Sequence, residues 1–162
     1  MNRKELTVLE AKLWEQIPLC EAMGVKLEAA STDHVLLFAP IKPNINHKKT
    51  AFGGSLHALA TIACWSLLQN KLLEECSIPF QIVIARSEVD YLAPVTEDFS
   101  AECRFNDSVE WAKFMRAFER RGKARLPMNA IITEAGRLCV DYHGTFVAIK
   151  LHARQSENEV SR

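Results

Sequence analysis

The sequence predicts an α+β fold in which a curled antiparallel sheet wraps one long central helix. Two observations predict it. The segment running from Gly53-Gly54-Ser55 to Cys76 is free of Gly and Pro after its start and apolar around most of a helical circumference. Short apolar runs of strand character, bounded by turn residues, flank it on both sides.

In the central segment Leu56, Leu59, Ala60, Ala63 and Leu67 keep helical spacing, while Ala58, Ile62, Cys64, Trp65 and Leu68 add apolar residues on the remaining faces. A surface helix shows one apolar stripe, so a helix apolar nearly all round is a buried one. About 20 residues at 1.5 Å each span roughly 30 Å, the width of a small domain.

The other elements follow in order. Residues 3–16 carry Leu6, Leu9 and Leu13 at helical spacing, and Pro18 is expected to end that helix. Strands are predicted over 25–30 and 35–39, joined by the turn Ser31-Thr32-Asp33; Pro40 and Pro43 then suggest an extended connection. After the central helix, strands are predicted over 81–91 and 98–105. Trp111, Phe114, Met115 and Phe118 at i, i+3, i+4, i+7 predict a short amphipathic helix ended by Gly122. Two last strands, 124–133 and 138–149, join through Glu134-Ala135-Gly136. Residues 1–151 read as one domain with an N-terminal helix, and 152–162 as a polar C-terminal tail.

Composition excludes several classes of function. With 162 residues, 48% apolar and 25% charged, the chain is ordinary for a soluble domain. Lys+Arg and Asp+Glu balance at 20 each, which gives no field for nucleic acid. Membrane spans and a signal-peptide core are absent from the pattern. The five cysteines are scattered without metal-ligand spacing and read as reduced core thiols. A cytoplasmic, metal-free protein is expected.

The start of the central helix is where chemistry is most plausible. Its first N–H groups lack intrahelical partners and sit at the positive end of the macrodipole. Gly53-Gly54 leaves them open to a carbonyl or oxyanion, and the Asn-rich loop upstream offers an amide donor. The plainer alternative is that the two glycines only make a tight turn. Gly54, His57 and Thr61 share a helix face; a lone His there is either a base at neutral pH or a structural residue.

The stretch Asn46-His47-Lys48-Lys49-Thr50-Ala51-Phe52-Gly53-Gly54 resembles the Asn-x-x-Gly-Thr-x-His-Gly-Gly pattern of acyl-CoA thioesterases in the hotdog superfamily. Lys49 and Phe52 replace the family Gly and His. Val89-Asp90-Tyr91-Leu92-Ala93-Pro94 is similar to the family's strand ending in Tyr-x-x-Pro. The fuller string is closer still to a hotdog subfamily found alone or fused to an acetyltransferase domain, first labelled as thioesterases and later linked to malonyl-ACP decarboxylation.

The resemblance implies a hotdog fold, and a homodimer is also expected because it covers exposed sheet edges; pairing of dimers into tetramers is left open. It implies action on short acyl thioesters. Decarboxylation of malonyl-ACP or malonyl-CoA to the acetyl form, at the initiation of fatty acid synthesis, is the leading expectation. Thioester hydrolysis is the rival, and a non-catalytic acyl-thioester binding module the third reading. Many hotdog thioesterases carry a carboxylate two turns into the helix; here that position is Thr61, which modestly favours chemistry that needs no base.

On this reading Gly53 and Asn46 bind the thioester oxygen, while Thr50 and Ser55 position a carboxylate or water, Ser55 being equally suited to capping. Phe52, Gly54, His57, Thr61, Tyr91 and Arg121 are the expected substrate contacts. No separate cofactor is implied, coenzyme A or carrier-protein phosphopantetheine being part of the substrate. Arg116, Arg120, Arg121, Lys123 and Arg125 form the one dense basic cluster, either a solvated face or a dock for coenzyme A phosphates or acyl carrier protein; Lys42, Lys48 and Lys49 could add to it.

Overall fold

The computed structural model describes residues 3–151, so the tail expected over 152–162 lies outside the described residues. Helix α1 (Arg3–Gln16) buries Leu13. Its Trp14 indole donates to the Val25 carbonyl, and its Glu10 carboxylate accepts from the Leu27 N–H, which ties the helix to the strand beyond. Pro18 does more than end this helix. It opens a second one, α2 (Pro18–Ala22), because a residue without an N–H and with fixed φ suits the first helical position.

Strands β1 (Lys26–Ala30) and β2 (His34–Ala39) form a hairpin. The connection after Pro40 is not extended throughout, since a short 3-10 turn, Lys42–Asn44, interrupts it. Helix α3 (Gly53–Glu75) follows, then β3 (Phe80–Tyr91), β4 (Phe99–Arg104), helix α4 (Ser108–Arg121), β5 (Lys123–Glu134) and β6 (Arg137–Lys150). The strands make one six-stranded sheet in the order β1-β2-β4-β5-β6-β3, every neighbouring pair antiparallel.

The sheet curls round α3, which touches β2, β3, β4, β5 and β6. Leu59, Leu67, Leu68 and Leu72 of α3 are fully buried against Leu37, Phe99, Leu126, Ile132 and Phe146 of the strands. Each such side chain contributes about 1.5–3 kcal/mol by leaving water. Helix α4 adds Trp111, Phe114 and Phe118 to the core; the Asp107 carboxylate caps its start and Gly122, at φ 68°, ends it. The Trp111 indole donates to Glu75 at 2.8 Å, so α4 sits at the C-terminal end of α3. This is the hotdog architecture that the resemblance implies. No helix among the described residues is long and apolar enough to cross a membrane.

One irregularity in the sheet positions the site. The β3–β6 register shifts between Ile84 and Arg86, leaving Ala85 as a bulge. Because strand faces alternate with period two, the extra residue exchanges them. Before the bulge Phe80 and Ile82 pack on the core; after it Val89 does, and Ser87 shares its face. Ser87 lies opposite Gly144. A Cβ at Gly144 would fall 2.7 Å from the Phe146 ring and 2.8 Å from the Tyr142 hydroxyl, so only glycine leaves room for these buried rings.

At the other edge of the site the buried Glu134 carboxylate latches the segment after β3. It accepts from the Thr96 N–H, from the Glu97 N–H at 2.7 Å and from the Thr96 hydroxyl, and pairs with Arg137. The Thr96 N–H is the largest influence; with Glu97 and Arg137 it holds the Glu134 carboxyl down to about 2 against the opposing effect of burial.

Two outcomes follow from these contacts. Gly144→Ala should lower stability by about 1–3 kcal/mol, as overpacking does, read as a reduced urea midpoint with unchanged m-value. Glu134 has a folded-state pKa below its ordinary 4.5, so its contribution is complete above that pH and is lost as pH falls toward about 2. In Glu134→Gln the stability difference from wild type should therefore be largest near neutrality and shrink across that acid range.

Candidate active site

The loop entering α3 is built by two asparagines with different tasks. Asn44 is 1% exposed. Its side-chain N–H groups donate to the Met23 and Pro40 carbonyls at 2.8 Å each, and its own carbonyl accepts from the Phe52 N–H at 2.7 Å. Asn46 organises the loop tip: Oδ1 accepts from the Lys48 N–H at 2.8 Å and the Thr50 N–H at 3.3 Å, and Nδ2 donates to Thr50 Oγ1 at 3.0 Å and the Ala51 carbonyl at 3.4 Å. The amide expected to face a thioester oxygen thus holds its own turn. Its 3.4 Å contact to the Ala51 carbonyl is the weakest of these four. Lys49, where the resembling pattern has Gly, has φ 61°, the left-handed region that Gly enters without strain.

Phe52 is the N-cap residue of α3 and supplies no side-chain cap. The N–H groups of Ser55 and Leu56 donate to the Phe52 carbonyl, whereas those of Gly53 and Gly54 have no acceptor among the described residues. Ser55 therefore does not cap the helix, and its half-buried hydroxyl has no partner among the described residues. The Tyr91 hydroxyl donates to the Gly53 carbonyl at 3.0 Å. The Phe52 ring folds so closely over Gly54 that a Cβ there would lie 2.2 Å from it. Phe52, Tyr91, Leu92 and Ile45 are all exposed, giving the helix mouth an apolar rim.

One turn further in, the His57 imidazole Nε2 lies 2.9 Å from Ser87 Oγ. Tyr142 and Thr61 hydroxyls are 3.0 Å apart; Thr61 donates to the His57 carbonyl at 2.9 Å, which leaves Tyr142 as donor to Thr61. The Tyr142 ring meets the imidazole edge-on at 5.6 Å. Burial pushes the Tyr142 hydroxyl up to about 12, outweighing the opposite pull of its hydrogen bonding with Thr61 and Ser87, so it stays neutral. His57 and Thr61 open onto a groove of about 320 Å³ walled by Ile17, Trp65, Ile82, Ile84 and Phe146. Trp65, expected from the sequence to pack in the core, does pack against it and also walls this groove. No carboxylate among the described residues lines the groove.

The structure thus gathers Asn46, Thr50, Phe52, Gly53, Gly54, Ser55 and Tyr91 at the helix mouth, with His57 and Thr61 beyond them. Arg121 it places elsewhere. It ends α4 beside Gly122, whose carbonyl accepts from Lys150, and Lys150 pairs with Phe80. Tyr91, which touches Gly53, is eleven residues along β3, roughly 30 Å or more away at strand rise. Arg116, Arg120 and Arg121 border a shallow depression at that far end and make no ion pair among the described residues. Lys42, Lys48 and Lys49 are exposed on the loop at the mouth and do not extend the α4 cluster. No group of His, Cys, Asp or Glu able to hold a metal ion occurs among the described residues.

Sequence reasoning missed Ser87 and Tyr142. A partial signal for Ser87 was present: Phe80, Ile82 and Ile84 fall at even positions and Val89 and Tyr91 at odd ones, a parity change that marks the bulge but is masked by the apolar Val83 and Ala85.

The loop geometry predicts a graded response at Asn46. Asn46→Ala should cost about 1 kcal/mol through loss of the acceptor for two loop N–H groups, whereas Asn46→Asp, which keeps that acceptor, should cost less. Urea denaturation midpoints check the order.

Comparison with known proteins bears on the family and the fold. The model of the family described as putative thioesterase (yiiD_Cterm) matches residues 6–150. A protein of unknown function from Chlorobaculum tepidum TLS is 33% identical, with 90% of this chain and 97% of that one covered and a TM-score of 0.81. A putative thioesterase from Shewanella oneidensis is 28% identical over 91% and 99% of the two chains, with a TM-score of 0.75. A Pseudomonas aeruginosa protein described as a probable thioesterase is 20% identical over 90% and 96%, also at TM-score 0.75, a likeness that bears on the fold. With the family model spanning nearly all of its described residues, this chain belongs to the putative thioesterase (yiiD_Cterm) family.

Proposed function

We propose that this protein turns over short acyl thioesters carried on coenzyme A or an acyl carrier protein, and that its reaction is decarboxylation of a malonyl thioester to the acetyl thioester. The observation that supports it is the pair of N–H groups on Gly53 and Gly54, without acceptors among the described residues, beside a groove that no carboxylate lines. Loss of CO2 leaves the electrons of the broken C–C bond in the thioester as an enolate. Two fixed donors at the positive end of α3 stabilise that oxygen, and removing one donor of this kind typically costs about 10²–10³ in rate. No base is required for the bond to break.

Hydrolysis is the second reading. It is favoured by the 2.9 Å contact between His57 and Ser87, which offers a base for water one turn from Thr61, the position where many hotdog thioesterases carry a carboxylate.

The substrate's carrier is anionic in either form, and Lys42, Lys48 and Lys49 at the mouth attract it. A second copy completes the assembly. Strand β3 ends the sheet with an unpaired edge twelve residues long and exposes Val83 and Ile84. Antiparallel pairing of two copies along this edge sets the Phe80 end of one beside the Tyr91 end of the other. It thereby brings the α4 arginines, Arg121 among them, toward the neighbouring mouth.

Incubation with malonyl-CoA and with malonyl-ACP, followed by mass analysis, tests the reaction. Acetyl thioester with CO2 is the expected product. Free thiol with malonate or acetate would replace decarboxylation by hydrolysis, and tight binding without turnover would refute both. Light scattering should give twice the monomer mass, and a monomer at micromolar concentration would refute the paired edge.

A further inference from the structure

We propose that His57 is the proton-transferring residue of this site and that Ser87 is the positioning residue that holds it, with Tyr142 bracing both from behind. The inference rests on the reading that a thioester is turned over at the mouth of α3.

Four observations carry it. His57 begins the second turn of α3, about 6 Å along the axis from Gly53, and helical side chains lean toward the N-terminus, the end at which the free N–H pair lies. Nε2 is bound to Ser87 Oγ at 2.9 Å, which leaves Nδ1 without a partner among the described residues. The ring is half-buried and forms part of the groove lining, as a structural histidine satisfied on both nitrogens would not. The arrangement is also built by specific local means: the bulge at Ala85 puts Ser87, and not Arg86, on the groove side, and Gly144 opposite leaves space for the Tyr142 hydroxyl.

The proton balance is simple. As the C–C bond of the malonyl group breaks, CO2 leaves and its bonding pair becomes the enolate, with charge on the oxygen near Gly53 and Gly54. The enolate carbon then takes the Nδ1 proton of protonated His57, giving the acetyl thioester and a neutral imidazole. Solvent returns one proton to the ring, so the turnover consumes one proton in all. Ser87 Oγ stays bound to Nε2 throughout and fixes the ring plane.

The test uses the full chain with malonyl-CoA, quantifying acetyl-CoA. His57→Gln should lower kcat by about 10²–10⁴ with KM within about twofold, since the interaction is made in the transition state. Ser87→Ala should lower kcat by a smaller factor at unchanged KM, and Ser87→Thr, which keeps the hydroxyl, should recover most of it. Added imidazole should restore part of the activity of His57→Ala, which a purely structural role would not allow. Thermal unfolding of each variant establishes that it is folded. Wild-type kcat in folded His57→Gln, or a raised KM at unchanged kcat, would overturn the assignment. Should the wild type release free thiol instead, the decarboxylation reading falls alone. The same variants scored on thiol release then decide the role of His57, loss supporting it and no loss overturning it. An enzyme inert toward both reactions would overturn the proposal together with the reading beneath it.

Discussion

A helix apolar around most of its circumference has to be enclosed, and enclosing α3 constrains everything else in this molecule. The strands curl because five of them must reach one cylinder, and the helix ends become the places where its backbone can meet solvent or ligand. At the C-terminal end that access is closed by α4, through Trp111 and Glu75. At the N-terminal end Phe52 folds over Gly54 and Tyr91 bonds the Gly53 carbonyl, yet the Gly53 and Gly54 N–H groups keep no acceptor among the described residues. A Ser, Thr, Asp or Asn at the N-cap would contribute about 0.5–2 kcal/mol, and Phe52 stands there instead. The forgone stabilisation leaves two N–H groups at the positive end of the helix unspent, which is the arrangement an anion-binding site requires.

How much of this was legible in the sequence depends on which interactions decided each feature. The long helix, the order of the strands and the cap at Gly122 are settled by period and by local backbone preference, so residues such as Leu59, Leu67, Phe114 and Phe118 announced them. Pro18 was harder, because one residue type both stops and starts helices and only the chain beyond tells which. Asn44 and Asn46 have identical chemistry two positions apart. What buries the first is the reach of its amide to the Met23 and Pro40 carbonyls, contacts that no local pattern reveals.

Sequence proximity misled in the opposite way for the arginines. Arg116, Arg120 and Arg121 look like part of one positive field with the loop lysines when only composition is considered. Within one chain the sheet sets them at opposite ends, because β3 runs almost its full length between Phe80, beside Lys150, and Tyr91, beside Gly53. Charge that is dense along a helix is local in space only as far as that helix extends.

The electrostatics of the groove bear on which reaction suits it. Thr61 stands where relatives by resemblance have a carboxylate, and its hydroxyl is already committed to the His57 carbonyl and to Tyr142. Tyr142 is held neutral by burial, and apart from His57 no lysine, arginine or carboxylate among the described residues lines the groove. An anionic acyl group drawn in by Lys42, Lys48 and Lys49 would therefore leave its attracting cations behind at the rim. Inside, a carboxylate meets apolar walls that solvate it poorly. In the proposed decarboxylation, leaving as neutral CO2 would remove that penalty, and the charge given up would move toward the Gly53 and Gly54 N–H groups. The proposed alternative, hydrolysis, would draw instead on the His57–Ser87 contact to activate a water beside these walls.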